Sequence, residues 1–180
     1  MIDAAHRRRI ESALWPQGNA TPGTLWAVLD CARDSRIHPL MMISRVDHQC
    51  LYSGELAPQL KVVAPHLVEL TPGSRWTATV LDEGWCNQWC ICVRINDATR
   101  LRHHLRKLLT VLSEDGHKLL FRFYDPRVLR LYLPTCQTAE LEQMFGPISQ
   151  FFVPGCGDGD DMLELGFDGS RLLQRTVATS

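Results

Sequence analysis

Two arginines and a carboxylate stand almost side by side in "LLFRFYDPRVLRLYLPT", Leu119 to Thr135: Arg122, Asp125 and Arg127. Guanidinium groups beside an acid are equipment for gripping an oxyanion. With Glu69 converging on them in a cleft at the ends of strands, they would form an enzyme-like site for a phosphorylated ligand. The same residues have a structural reading. Alternation along a strand from Leu119 to Tyr124 puts Leu119, Phe121 and Phe123 on one face and Leu120, Arg122 and Tyr124 on the other. Helices on both faces would bury Arg122, and removing the partner of a buried guanidinium costs on the order of 3 to 5 kcal/mol. The acids placed to pair with it are Asp30, Glu69 and Asp125. Asp125 has a second role, because Pro126 suits the first position of a helix and the preceding carboxylate can accept from first-turn amides. The structural reading is complete without catalysis, so no enzymatic activity is expected.

Cys86, Cys90 and Cys92 with His103 and His104 hold the atom types of a zinc site, but Cys90 and Cys92 lie two apart on a strand-like run instead of in a loop knuckle. Packing as small apolar side chains is expected, with no metal and no cofactor. The paired histidines of "HHLRKLL" lack the acid and glycine that an acyltransferase motif places after them, since Leu108 and Leu109 stand there. "GCGDGDDMLE" has the composition of a calcium loop, yet counting from Asp158 puts Met162 and Leu163 in the fifth and sixth positions, so a plain turn is expected. Phosphate loops, dinucleotide glycine patterns, nucleophile elbows and zinc-protease helices do not occur. In "EGWCNQW", Trp85 is the side chain expected to reach a partner, with Arg127 and Arg130 on the outer side of the helix after Pro126 as a polar rim.

These side chains depend on the elements that carry them. Residues 3–14 have helical spacing, ended by Pro16 and the "PQGNATPG" loop. "TLWAVLD" and "WCICVRI" have the apolar, β-branched and aromatic make-up of buried strands; "CLY" and "LVEL" are shorter ones. "SRIHPLMMISR" and "RWTATVLDEG" suggest helices, the second closed by Gly84. Asp97 can cap a helix whose leucines, Leu101, Leu105, Leu108, Leu109 and Leu112, recur at helical spacing opposite a basic face. The Asp115-Gly116 turn leads to the strand at Leu119, then a helix from Pro126 and a short one over "TAELEQMF". "ISQFFV" and "MLELGF" are two last strands. Strands alternating with helices predict an α/β fold: a single layered domain with a mixed β-sheet flanked by helices. Its expected divisions are an N-terminal helix and loop (1–22), the main domain (23–150) and a short C-terminal β extension (151–180).

The chain has 180 residues, 45% hydrophobic and 22% charged, as ordinary globular domains do. A formal net charge of −1 gives no bulk attraction to nucleic acid or to anionic membrane, and neither is an expected partner. "MIDAAHRRRIESALW" carries three consecutive arginines without an apolar run of signal-peptide length, and the seven cysteines are scattered and odd in number. Reduced thiols and a cytoplasmic location are expected.

The segments "LWAVLDCARDSRIHPL", "LYSGELAPQLKVVAPHLVEL", "DEGWCNQW" and "LLFRFYDPRVLRLYLPT", followed by "MFGPI", resemble in this order a bacterial family, the domain of unknown function 4123. Its members look like adaptor chaperones that load toxic effectors onto the valine-glycine-repeat (VgrG) spike protein of the type VI secretion system. The resemblance implies a non-enzymatic adaptor in the bacterial cytoplasm whose partners are the N-terminal region of an effector and the spike. It also implies that Asp30, Arg33, Asp34, Glu55, Pro65, Glu69, Gly84, Trp85, Arg122, Tyr124, Asp125, Pro126 and Arg127 maintain the fold or the effector-facing surface.

Overall fold

The run "TLWAVLD" forms β1, Thr24–Asp30, and lies in the middle of the molecule. The computed structural model describes residues 4–16, 23–113, 115–155 and 161–178. On one side β1 pairs with β3, Pro65–Leu70, and on the other with β4, Cys90–Ile95. The sheet adds β2 (His48–Cys50) beyond β3, and β7 (Ile148–Val153), β8 (Met162–Phe167) and β9 (Leu172–Val177) beyond β4, in the order β2-β3-β1-β4-β7-β8-β9. The α/β layering is as expected, but the mixed sheet is not: all described pairings are antiparallel. The Asp168–Arg171 connection is too short for a crossover. The long excursions from β1 to β3 and from β4 to β7 also bring the chain back antiparallel.

Alternation along the strands feeds two cores. Leu25, Ala27 and Leu29 face α1 (Ala4–Leu14), α2 (Ile37–Ile43) and α4 (Arg75–Thr79), with Ile10, Leu14, Ile37, Met41 and Trp76 among the buried contacts. Val28, Ile91, Val93 and Phe151 face α5 (Leu101–Leu108), α6 (Pro126–Tyr132) and α7 (Thr138–Phe145), through Leu105, Leu129, Leu133, Leu141 and Phe145. Phe151 and Phe152, neighbours on β7, therefore serve opposite cores. Burial of each such side chain contributes about 1.5 to 3 kcal/mol. β7 runs across the expected boundary at 150, and β8 and β9 continue the same sheet.

Local departures from expectation cluster after α5. Asp97 does cap the turn before it, accepting from the Thr99 amide at 2.9 Å, but the helix ends at Leu108 instead of reaching Leu112. Thr110–Leu112 forms β5, which pairs with β6, Lys118–Leu120, as a separate hairpin. The strand expected to run to Tyr124 thus ends at Leu120. The short α3, Pro58–Val63, and β9 carry no strong sequence pattern and were not expected.

Candidate functional site

Asp30 ends β1 on the face covered by α5 and α6, and Arg122 Nη2 donates to its Oδ2. Of the three candidate acids, this one meets the arginine. Asp30 is 1% exposed, whereas the Arg122 side chain is 41% exposed, so the pair joins a dry carboxylate to a half-wet guanidinium. The expectation of a buried Arg122 on a strand is corrected. It lies on irregular chain after β6, where its carbonyl accepts from the Asp125 amide at 3.0 Å and the backbone turns toward α6. Strand alternation fails there too, since Phe123 and Tyr124 enter the same core. Asp30 Oδ1 and Arg122 Nε are buried with no hydrogen-bond partner among the described residues. The guanidinium also stands 6.0 Å from the Tyr124 ring. Burial, then a hydrogen bond with Tyr52, holds the Tyr124 hydroxyl well above its ordinary pKa.

Asp125 caps α6 as its position before Pro126 suggests. Its Oδ1 accepts from the Arg127 amide and from Arg127 Nε, each at 3.0 Å, and Oδ2 accepts from Arg127 Nη2 at 2.6 Å. Burial pushes this carboxyl up, but the bonds from Arg127 outweigh it and hold the group below the usual carboxylate range. Arg127 is thereby turned back on its own helix start, with half its side chain exposed. Arg130 is not on an outer rim. Its Nη2 donates to the carbonyl of Pro154 at 2.7 Å, tying α6 to the end of β7.

Glu69 joins none of this. It is exposed on β3 opposite Trp26, whereas Asp30 is opposite Pro65, so a run of strand separates the two acids. The cleft that would gather Arg122, Asp125, Arg127 and Glu69 does not form.

Trp85 requires the largest correction: it is 0% exposed, in the core with Trp76 and Trp89. The cause is local. After α4 the chain widens into a π-helical turn, Val80–Gly84, which directs Trp85 inward instead of leaving it on a loop. Gly84 lets the Trp89 ring pass close, since a Cβ there would lie 2.9 Å from Trp89 Cε3. Trp89 Nε1 in turn donates to Asp34 Oδ2 at 3.1 Å, and Arg36 closes the same carboxylate at 2.7 Å. Asp34 as the hub of this corner, and Tyr52 as the neighbour of Tyr124, were not singled out by role from sequence because their partners lie far along the chain.

Cys90 and Cys92 are buried side chains of β4, Cys86 and His103 are exposed, and His104 Nε2 bonds the Met144 carbonyl at 3.0 Å. The five groups do not converge. Cys156 and Asp158 of the glycine-acid loop lie outside the described residues. A cluster that spacing did not reveal is His38, His48 and His66, with ring centroids 5.6 and 5.4 Å from His66. Burial pushes the pKa of His66 down to about 4.

The geometry is that of a clasp. Asp30 and Arg122 join the end of the central strand to the segment entering α6, while Asp125 starts that helix and Arg130 fastens it to β7. A family model described as Domain of unknown function (DUF4123) matches residues 25–143. No curated protein and no solved structure matches the chain.

Proposed function

The chain belongs to the DUF4123 family, and on that footing we propose that it is a non-enzymatic adaptor that holds a type VI secretion effector in the cytoplasm and delivers it to the VgrG spike. The observation that carries the reading is the β5–β6 hairpin. Val111 is 39% exposed, Leu112 68%, Leu119 51% and Leu120 56%, within the stretch that the family model matches. Isolated exposed leucines are ordinary, but here the register sets Val111 opposite Leu119 on one face of the hairpin and Leu112 diagonal to Leu120 on the other, so each face offers an exposed apolar pair of the sort that partners cover. They supply the apolar anchors that Trp85 does not. The acid-arginine cluster supports the same reading, because each carboxylate is committed to a guanidinium or a cap and none is poised as a base.

The test is co-expression with a candidate type VI effector and with the spike, followed by titration. A soluble complex is expected, weakened by about 2 kcal/mol when Leu112 and Leu120 are both replaced by Asp, with the adaptor's own melting unchanged. Capture of neither toxin nor spike by the wild-type chain would sink the proposal.

A further inference from the structure

On the face opposite the Asp30–Arg122 pair, a cavity of about 670 Å³ lies between α1 and the β7-β8-β9 side of the sheet. Among the described residues four arginines line it, Arg8, Arg9, Arg94 and Arg175, against one carboxylate, Glu164, on a chain whose formal net charge is −1. Arg94 is the unusual member. It is 4% exposed, yet among the described residues its hydrogen bonds go only to neutral acceptors: Nε to Gln150 Oε1 at 2.8 Å and Nη2 to the Leu14 carbonyl at 2.5 Å, with Phe152 5.2 Å beneath the guanidinium. Glu164 makes no direct ion pair with it. One Glu164 oxygen accepts from Gln150 Nε2 at 2.6 Å and the other from Arg175, so Gln150 stands between the buried cation and the nearest acid. A buried charge with no direct ion pair is costly: burial pushes the Arg94 pKa down, and the more distant Glu164 charge offsets this only in part. Arg8 and Arg9 likewise have no ion pair among the described residues, whereas their neighbour Arg7 has two, to Glu11 and Asp82.

We propose that this cavity binds a carboxylate-bearing segment of a polypeptide, with Arg94 as the buried anchor and Arg8 and Arg9 as the outer cations. The ligand class follows from the lining. A lone phosphate would leave most of the volume empty, and a nucleotide would need a stacking surface, but among the described residues no aromatic side chain lines the walls. Small apolar residues, Ala5, Ala13 and Val177, fill the space between the charges and suit an acidic segment with small spacers. α1, β7, β8 and β9 lie outside the family-matched stretch while Arg94 lies within it, so the cavity is built from both matched and unmatched parts of the chain. The adaptor reading is used here only to name the effector as the protein that carries the segment.

The experiment is anisotropy titration of the full chain with a fluorescein-labelled peptide of alternating glutamate and alanine. Its glutamine counterpart, inorganic phosphate and ATP are the comparison ligands. The glutamate peptide is expected to bind and the glutamine peptide not to. Arg94→Gln, and separately Arg8→Glu with Arg9→Glu, should each weaken binding by about tenfold or more, as loss of a charge-assisted bond does. Arg106→Gln with Lys107→Gln on the basic face of α5 should leave it unchanged. Equal losses for the α5 pair would show diffuse attraction and overturn the site, as would no binding at all. Tighter binding of phosphate or ATP at the same arginines would overturn the ligand class. The exposed α1 pair decides the matter even if Arg94→Gln does not fold. Because the probe is synthetic, the result stands apart from effector capture, and loss of effector capture leaves it intact.

Discussion

An ion pair between a dry acid and a half-wet arginine is asymmetric, and the asymmetry sets what each substitution costs. Removing Arg122 strands Asp30, whose Oδ1 already lacks a partner among the described residues, at a strand end that is 1% exposed. Arg122→Ala is therefore expected to destabilise by about 2 to 3 kcal/mol, somewhat below a fully buried pair because water already reaches the guanidinium. Arg127→Ala leaves Asp125 still bonded to a backbone amide and should cost about 1 kcal/mol or less. Urea midpoints of the two variants check the contrast, and equal small losses would mean that Asp30 tolerates isolation. At this scale the sequence disclosed which residues matter but not how they pair. Asp125 was legible because Pro126 adjoins it. Asp30 could not be chosen over Glu69, since the choice depends on which residues of β1 and β3 stand opposite each other, and that is a tertiary fact. Trp85 was misplaced because a π-helical turn has no composition signature to set it apart from a loop.

Elements buried on both faces were the legible ones: β1 and β4 are continuous apolar runs because both sides must be dry, and their bounds follow the composition. The β5–β6 hairpin was hidden by coincidence of period. Leu108, Leu109 and Leu112 continue the helical spacing of Leu101 and Leu105, yet the helix has delivered its buried stripe by Leu109 and Leu112 is left in solvent. β9 gave no signal, being an edge strand whose side chains are largely exposed. The end of α7 shows how tightly an element boundary can be specified. Gly146 has φ +48 and ψ −112, donates its amide to the Glu142 carbonyl, and lies so close to His104 that a Cβ would sit 2.4 Å from the imidazole Cε1. Gly146→Ala meets both backbone strain and a ring held by the Met144 carbonyl, and a loss of about 2 to 4 kcal/mol is expected. Adding His104→Ala should restore the steric part and not the conformational part. A midpoint for Gly146→Ala within about 0.5 kcal/mol of wild type would show that α7 ends by another route.

At the scale of the whole molecule, the stretch that the family model matches and the unit that folds differ. Residues 25–143 contain β1 to β4, the hairpin and the helices from α2 to most of α7, but lack α1, β7, β8 and β9. β4 is buried along its entire length, and its outer edge is closed by β7 through pairs such as Cys92↔Phe152 and Val93↔Phe151. Trimming the chain to 25–143 would turn that central strand into an exposed apolar edge and strip Phe151 from one core and Phe152, Ile10 and Leu14 from the other. Four fully buried side chains of this size represent on the order of 6 to 12 kcal/mol, comparable with the entire stability of a domain. The fragment 25–143 is thus expected to aggregate or to melt without a cooperative transition. A chain ending after Asp168, which loses only the exposed β9, should keep a cooperative melt at a lower midpoint. Nested truncations followed by circular dichroism and urea titration separate the cases. A cooperatively folded 25–143 would make β7, β8 and β9 an appendage, as a division near residue 150 implies. Failure of that fragment together with survival of the longer one would place the boundary of the folding unit at the sheet's last buried strand, β8, whose Met162, Leu163 and Leu165 still reach both cores.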